Sequence, residues 1–197
     1  MAPSGLKYAR QRLNSIVRGI IVAVVLAALS FAAVAEDDIP PLYTQIALKH
    51  QVPPKLFFAL ILNESRSTTD NRVGRKVLPW PWTVNHRGKP YFFQSRLQAF
   101  NFIKGLVASG DESFDVGLGQ LNWYWHKQKF NSDLWSALDP VSNLHVSAKF
   151  FRQQYDRPEC GAWERAVGCY HRPGQRRQDK DIAKKYSERV VRLWAKI

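Results

Sequence analysis

The chain has 197 residues, of which 45% are hydrophobic. That length and content suffice for one ordinary domain with its own core, and they exclude a pair of full-sized domains. The formal net charge of +13 at pH 7 favours an anionic partner. The sequence contains no internal repeat, so a repeat architecture is excluded as well.

The first 35 residues have the layout of an export signal. A basic flank precedes the apolar residues 19–34, and Ala33-Val34-Ala35 has the small-x-small spacing that a signal peptidase accepts. We therefore expect a signal peptide, residues 1–35, cleaved after Ala35, and one exported, periplasmic domain, residues 36–197. The alternative is an uncleaved anchor or a transient membrane association, because an apolar run of about 16 residues falls just short of the roughly 18 to 20 that span a bilayer. The basic residues of the flank are Lys7, Arg10, Arg12 and Arg18.

The positive charge persists after the leader is set aside. Four positive charges lie in residues 1–35, which contain no Asp or Glu, so residues 36–197 keep a net charge of +9. For an exported protein the anionic candidates are cell-wall polymer, a membrane surface and nucleic acid, and charge by itself does not choose among them. No recognised nucleic-acid-binding motif is present, so we expect no nucleic-acid partner. The densest basic run, residues 171–185, has the composition of a solvated loop and helix face.

The two cysteines form a local pair. Cys160 and Cys169 bracket a predicted short helix, behind a leader that directs the chain to a compartment permitting disulfides. We therefore expect a disulfide between them. A metal site is disfavoured, because no second cysteine pair is present and His126, His145 and His171 lack a recognised ligand spacing. Neither a metal nor another cofactor is expected.

The apolar periodicity predicts a domain that is mainly α-helical with one small β-hairpin. Pro54, Ser95 and Asp139-Pro140 mark helix starts, because proline suits the first turn and Ser or Asp suits the N-cap. The predicted helices span residues 42–50, 54–65, 95–108, 161–170 and 180–195, with another beginning at Asp139. The expected inner faces are Leu97, Phe100, Ile103, Leu106 and Val107 in the third helix, and Leu144, Ala148 and Phe151 in the helix after Asp139.

The second predicted helix carries a carboxylate at the end of its apolar face. Glu64 continues the helical spacing of Leu56, Phe57, Leu60 and Ile61. A carboxyl at the edge of an apolar face is poorly solvated, which raises its pKa, and the negative end of the helix dipole acts in the same direction. Glu64 is therefore a candidate acid that keeps its proton near neutral pH. The other interpretation is a solvated Glu at a frayed helix end, or one paired with Arg66 or Arg72.

Residues 79–93 combine strand-like segments with a cluster of aromatic residues. Residues 82–85 and 91–93 favour strands, and residues 86–89 have the composition of a turn, so a hairpin is predicted. Its aromatics, Trp82 and Tyr91 among them, form either a satellite core or a wall on which sugar rings pack through their apolar faces. Further along, Gly117 and Gly119 precede Gln120, which indicates a backbone that another group approaches closely.

Four separated segments have the motifs of one family. They are Glu64-Ser65 at the end of an apolar helix, Gly117-Leu118-Gly119-Gln120-Leu121-Asn122, Asp139-Pro140 with Asn143, and Ala166-Val167-Gly168-Cys169-Tyr170-His171. In this order they resemble the Glu-Ser, Gly-Leu-Met-Gln-Ile/Leu-Asn, Asp-Pro-x-x-Asn and Ala-x-x-x-Tyr-Asn segments of the soluble-type lytic transglycosylases, lysozyme-like enzymes that cut peptidoglycan. The resemblance covers residues 42–175. Gly119 stands where that family has Met, and His171 where it has Asn, so contacts near the substrate are expected to differ.

The resemblance implies a lysozyme-like α+β fold and a lyase that breaks the β-1,4 bond between MurNAc and GlcNAc, leaving 1,6-anhydroMurNAc. It implies that Glu64 is a single catalytic acid that then acts as a base. Ser65 and Gln120 would hydrogen-bond the substrate, and Tyr170 would lie near Glu64. Asn122 would hold either the loop or a sugar. Structural roles are assigned to Asp139 and Asn143.

The resemblance also bears on partners and on competing functions. The Trp-rich insertion between Glu64 and Gly117 resembles a subset of small transglycosylases associated with conjugation and secretion machinery, so such a machine is an expected partner besides the glycan strands. One competing function is a lysozyme-type hydrolase that uses Asp115 or Glu112 as a second carboxylate. Another is a non-catalytic wall-binding assembly component, against which the intact Glu64-Ser65 pair argues. A third is an exported nucleic-acid binder.

Overall fold

The computed structural model describes residues 39–67 and 77–197. The predicted signal peptide and Arg72 lie outside the described residues, so the cleaved leader stays a prediction. Within the described stretches, no helix is both long and apolar enough to cross a bilayer. Contacts between Cα atoms group Ile39–Ile197 into one unit.

Helices make up most of the described chain. The α-helices are α1 (Pro41–Lys49), α2 (Pro54–Ser65), α3 (Arg96–Ala108), α4 (Trp123–His126), α5 (Leu134–Ala137), α6 (Pro140–Tyr155), α7 (Trp163–His171) and α8 (Arg177–Trp194). Two short 3₁₀ turns, Lys127–Phe130 and Pro158–Cys160, connect them. The strands are β1 (Thr83–His86), β2 (Lys89–Phe92), β3 (Phe114–Val116) and β4 (Leu121–Asn122). The predicted fold class, mainly α-helical with a small antiparallel sheet, is confirmed.

The predicted hairpin is part of a four-stranded antiparallel sheet. Strands β1 and β2 form the hairpin, and the full strand order is β2-β1-β3-β4. Strands β3 and β4 were not predicted, because segments of three and two residues carry too few positions for an alternating pattern. Their register pairs Asp115 with Asn122, so two polar side chains stand next to each other at the edge of the sheet.

Helix α2 lies at the centre of the core. Every residue from Leu56 to Leu62 is buried, because α1 packs on one side of the helix and α8 on another. A helix that is apolar all round belongs inside a domain. The polar residues follow only at the last turn, so α2 delivers Glu64 to the boundary between the core and the solvent.

The predicted caps form, and one predicted inner face is corrected. The Ser95 hydroxyl accepts a hydrogen bond from the Gln98 amide, and a carboxylate oxygen of Asp139 accepts one from the Ser142 amide. The inner face of α6, Leu144 with Ala148 and Phe151, is fully buried as expected. In α3, however, Leu97 is 57% exposed, whereas Ala99 and Ile103 are buried. At 100° per residue Leu97 points away from the buried Ala99.

Candidate active site

A cleft of about 820 Å³ opens beside the C-terminal end of α2. The rings of Phe150 and His126 meet at 4.5 Å, and Gln154, one turn further along α6, accepts a hydrogen bond from Arg157. Phe150 and Gln154 both line the cleft, so the cleft follows the C-terminal half of α6. Several of the residues singled out in the sequence line it, and they include Glu64, Asp115, Gln120, Asn122, Tyr170 and His171. Unpredicted lining residues include Trp125, His126, Phe150, Arg157 and Arg172.

Glu64 is a half-buried carboxyl with one edge in the cleft. Burial raises the pKa of Glu64 from its ordinary 4.5 to about 8, and the nearby Asp115 charge adds to the rise. The Tyr186 hydroxyl donates a hydrogen bond to Oε1 of Glu64, which lowers the pKa, as does the more distant charge of Arg189. Burial prevails, so the folded chain holds a protonated carboxyl near neutral pH.

Tyr186, which no sequence motif singled out, is the side chain that donates this hydrogen bond to Glu64. It is 2% exposed and sits on the inner face of α8 together with Val190. The ring of His171 stacks on it, with centroids 4.2 Å apart and planes 7° from parallel. Helical spacing in the sequence is enough to place Tyr186 on the inner face of α8. Its contact with Glu64 could not be predicted in this way, because the two residues are 122 positions apart.

Asn143 holds the glycine-containing turn before Gln120. Its Oδ1 accepts a hydrogen bond of 2.8 Å from the Gly119 amide, and its Nδ2 donates to the carbonyls of Val116 and Ala137 at 3.1 and 2.9 Å. A Cβ at Gly117 would lie 2.3 Å from Asn143 Nδ2. The side chain of Asn143 is fully buried, so three hydrogen bonds fix this turn in the interior.

Position 119 has no room for a side chain in this protein. A Cβ there would come within 1.9 Å of Ser147 Oγ and 2.8 Å of the Tyr170 hydroxyl oxygen. The Tyr170 hydroxyl donates a hydrogen bond of 2.7 Å to the Gly119 carbonyl. Ser147 and Tyr170 thus occupy the space that a larger residue at position 119 needs, and glycine is required.

Gln120 faces the cleft from the end of the same turn. Its backbone has a φ of 45°, in the left-handed region. Its side-chain amide nitrogen donates to the carbonyls of Gly117 and Thr83, at 2.7 and 3.0 Å. Both amide hydrogens serve to hold the side chain, so Oε1 is the atom that Gln120 can offer to a ligand.

Of the two proposed second carboxylates, only Asp115 lines the cleft. Asn122 Nδ2 donates a hydrogen bond of 2.9 Å to Asp115 Oδ1, and burial raises the pKa of Asp115. Asn122 Oδ1 is buried without a hydrogen-bond partner among the described residues. Glu112 lies outside the cleft and forms an ion pair with Lys127.

The structure places three predicted substrate contacts outside the lining of this cleft, and their binding of substrate stays a prediction. Ser65 is 1% exposed, and its hydroxyl donates to the Ile61 carbonyl. Trp82 packs edge-on against Trp80 and against the core. The hairpin folds its aromatics towards α3, where the ring of Tyr91 lies 4.8 Å from that of Phe102. The satellite-core interpretation therefore applies to these aromatics.

The cysteines lie behind the cleft wall. The sulfurs of Cys160 and Cys169 are bonded, which ties the turn Pro158–Cys160 to α7. Cys169 directly precedes Tyr170, so the bridge helps to fix the helix that carries the tyrosine. In the described ranges, no group of three or more His, Cys, Asp or Glu side chains is arranged to hold a metal ion.

A mainly helical domain with a small sheet and a cleft built around one protonated carboxyl is typical of lysozyme-like enzymes, which act on glycans. The family model described as "Transglycosylase SLT domain" matches residues 41–191. The chain belongs to this family. Its members are peptidoglycan lytic transglycosylases, so the chain is a lyase that acts on peptidoglycan, a polymer found outside the cytoplasmic membrane. Searches of curated proteins and of solved structures returned no significant match.

Proposed function

We propose that the enzyme breaks the β-1,4 bond between MurNAc and GlcNAc and releases 1,6-anhydroMurNAc ends, with Glu64 as its single catalytic acid and base. The observation that carries this proposal is the carboxyl of Glu64, half-buried at the edge of a glycan-sized cleft, with its pKa raised to about 8. A general acid must hold its proton at the working pH and yet reach the substrate. Glu64 meets both conditions.

The reaction has two proton transfers through the same side chain. Glu64 first protonates the glycosidic oxygen, and the substrate's own N-acetyl oxygen stabilises the positive charge that develops at the anomeric carbon. The carboxylate of Glu64 then takes the proton of the sugar's 6-hydroxyl, whose oxygen bonds to the anomeric carbon. The acid is regenerated and no water is consumed.

The neighbouring residues position the reacting groups in this proposal. The hydrogen bond from Tyr186 fixes one oxygen of Glu64, which leaves the other for the glycosidic bond. Gln120 offers its Oε1 to the substrate, and Tyr170 supports the reacting acetamido group from the cleft wall. Ser65 acts through the helix end, because its hydroxyl is used by the Ile61 carbonyl.

We also propose where and for what the enzyme works. The leader supports export to the periplasm with cleavage after Ala35. The Trp-rich insertion between Glu64 and Gly117 supports a role in local wall opening by an envelope-spanning conjugation or secretion apparatus. Because that insertion includes α3, whose apolar Leu97 is 57% exposed, Leu97→Asp should reduce recruitment to such a machine without abolishing cleavage of purified peptidoglycan.

A lysozyme-type hydrolase is the second candidate function. The position of Asp115 in the cleft favours it over a wall-binding component and over a nucleic-acid binder, since neither of those needs a second carboxylate there. Mass spectrometry of the products released from purified peptidoglycan separates the two reactions. Anhydro-muropeptides, lighter by one water than reducing muropeptides, are the expected products.

Each remaining outcome of this experiment has a definite meaning. Reducing ends would establish the hydrolase, and no release by a folded protein would favour a wall-binding component. The matched control is Glu64→Gln, which should bind peptidoglycan and release nothing.

A further inference from the structure

Helix α4 presents a large aromatic side chain to the cleft. Trp125 is 76% exposed, more than the other exposed large hydrophobic residues of the described chain, and it lines the cleft. The Tyr124 ring meets it edge-on at 4.8 Å and supports the indole. Trp135, by comparison, is 40% exposed and lies under the guanidinium of Arg96. An indole with a ring face open to a cleft is available to a ligand.

His126, the next residue, supplies a polar atom at the same place. Its ring packs on Phe150 in the cleft wall, and its Nδ1 is buried without a hydrogen-bond partner among the described residues. Burial lowers the pKa of His126 to about 4, so the imidazole is neutral across the pH range in which Glu64 keeps its proton. A neutral imidazole carries one nitrogen that accepts a hydrogen bond.

A second unpaired acceptor belongs to Asn122, the last residue of β4 and the residue directly before α4. Asn122 Oδ1 is buried without a partner in the described part of the chain, while its Nδ2 is used by Asp115. Asn122 and His126 line the same cleft as Trp125, so the two acceptors lie on the wall that carries the indole. Buried acceptors without partners are unfavourable in the free protein, and a ligand that donates hydrogen bonds to them removes that cost.

The part of the cleft wall formed by Trp125, His126 and Asn122 has groups that favour one class of ligand. An open aromatic face suits the apolar C–H face of a pyranose ring, and the two acceptors suit the hydroxyl and acetamido N–H donors at the edge of an N-acetylated sugar. The wall therefore fits the glycan part of peptidoglycan.

We propose that Trp125, His126 and Asn122 Oδ1 form a saccharide subsite that holds one N-acetylhexosamine of the strand, with the sugar stacked on Trp125. This inference rests on the proposed function for the identity of the strand, while the binding of sugar does not depend on Glu64 chemistry. Trp125 and His126 act here as binding residues that set the affinity for glycan. They take the place of the hairpin aromatics that the sequence suggested for this purpose.

The test compares two tryptophans in the full chain carrying Glu64→Gln. Calorimetric titration with a tetrasaccharide of β-1,4-linked GlcNAc should show about tenfold weaker binding for Trp125→Ala, and no change for the control Trp135→Ala outside the cleft. An affinity of Trp125→Ala within twofold of its parent, in a protein with unchanged circular dichroism, would overturn the inference. Trp125 is exposed, so its removal leaves the core intact.

The hydrogen-bonding role of His126 needs its own pair of variants. His126→Phe keeps a ring against Phe150 but removes the acceptor, and it should weaken tetrasaccharide binding severalfold. His126→Asn places an amide oxygen near the position of Nδ1 and should recover part of that loss. Equal affinity of His126→Phe and its parent would overturn the role of His126.

Kinetics on purified peptidoglycan separate the failure of this inference from the failure of the proposed function. With native Glu64, Trp125→Ala should raise KM about tenfold with little change in kcat. If Trp125→Ala forms anhydro products with an unchanged KM, the saccharide subsite is refuted and the proposed function stands. If tetrasaccharide binding depends on Trp125 but the chain forms no anhydro product, the subsite is supported and the proposed function is refuted.

Discussion

Replacing Glu64 with glutamine should abolish cleavage and at the same time stabilise the fold above neutral pH. The amide keeps the size of the side chain and an Oε1 atom that accepts the hydrogen bond from Tyr186. It cannot supply a proton, so cleavage should fall by at least about 10³-fold, within the range for the loss of a general acid. The stability gain follows from burial of the carboxyl.

The pH dependence of this gain is fixed by the two pKa values of Glu64. Below its ordinary pKa of 4.5, Glu64 is protonated in both the folded and the unfolded chain, so folding buries no charge at this position. Between pH 4.5 and about 8 only the folded chain binds the proton, so the wild-type protein loses stability as the pH rises. Above about 8 neither state binds the proton, and the loss is complete.

The size of the effect can be bounded from the same values. Each pH unit in this interval costs the folded state about 1.4 kcal/mol, so the full interval gives an upper bound of about 5 kcal/mol. One edge of Glu64 faces water in the cleft, and solvent screening reduces the cost. We therefore expect Glu64→Gln to gain about 2 kcal/mol over the wild type between pH 5 and pH 8.5.

Urea unfolding at pH 5.0, 6.5 and 8.5 measures this gain directly, as the difference in unfolding free energy between variant and wild type. Glu188→Gln removes the same charge from an exposed position of α8 and corrects for the change in net charge. A Glu64→Gln difference that stays constant between pH 5.0 and 8.5, or that falls, would refute the claim that Glu64 is buried as an acid. A variant that still cleaves at the native rate would refute its catalytic role.

Three further predictions concern the groups that hold the site. Tyr186→Phe removes a hydrogen bond that favours the charged acid, so the alkaline limb of the pH–rate profile should move up by about one pH unit; an unmoved limb would contradict this. Gly119→Ala puts a Cβ 1.9 Å from a buried serine oxygen and should cost about 2 kcal/mol in urea unfolding. The control Gly105→Ala, which lies inside α3 and has nothing within 4 Å, should stabilise by up to about 1 kcal/mol. Asn143→Ala leaves buried backbone groups unpaired and should cost about 3 kcal/mol by the same measurement, and an equal loss for exposed Asn101→Ala would rule out that explanation.

The helices could be predicted because their signals are local. Pro54 and the Asp139-Pro140 pair fix the starts of α2 and α6 through proline geometry and a capping carboxylate, and neither effect needs the rest of the chain. Strands β3 and β4 could not be predicted. They are three and two residues long, and they exist because β1 lies beside them.

The candidate site divides in a similar way. The apolar run that ends in Glu64 made it a candidate acid, with a solvated or Arg-paired Glu as the alternative, and the Glu64-Ser65 motif then selected it. Burial of that run places the carboxyl at the edge of the core. Gln120 and Tyr170 came from motifs, and both line the cleft. Trp82 and Tyr91 were chosen for their aromatic composition, which predicts burial against something but cannot say against what; the sheet turns them away from the cleft.

The sequence by itself determined the helical class, the starts of α2, α3 and α6 and one candidate acid with a raised pKa, since each depends on residues within a few turns of one another. The start of α8 was predicted three residues late, at 180 instead of Arg177. Only the tertiary structure decided which groups meet that acid. Tyr186 reaches Glu64 across 122 positions because α8 packs on α2, and Trp125 enters the cleft because α4 follows the last strand of the sheet. Such contacts depend on how whole elements pack, and local periodicity carries no information about that arrangement.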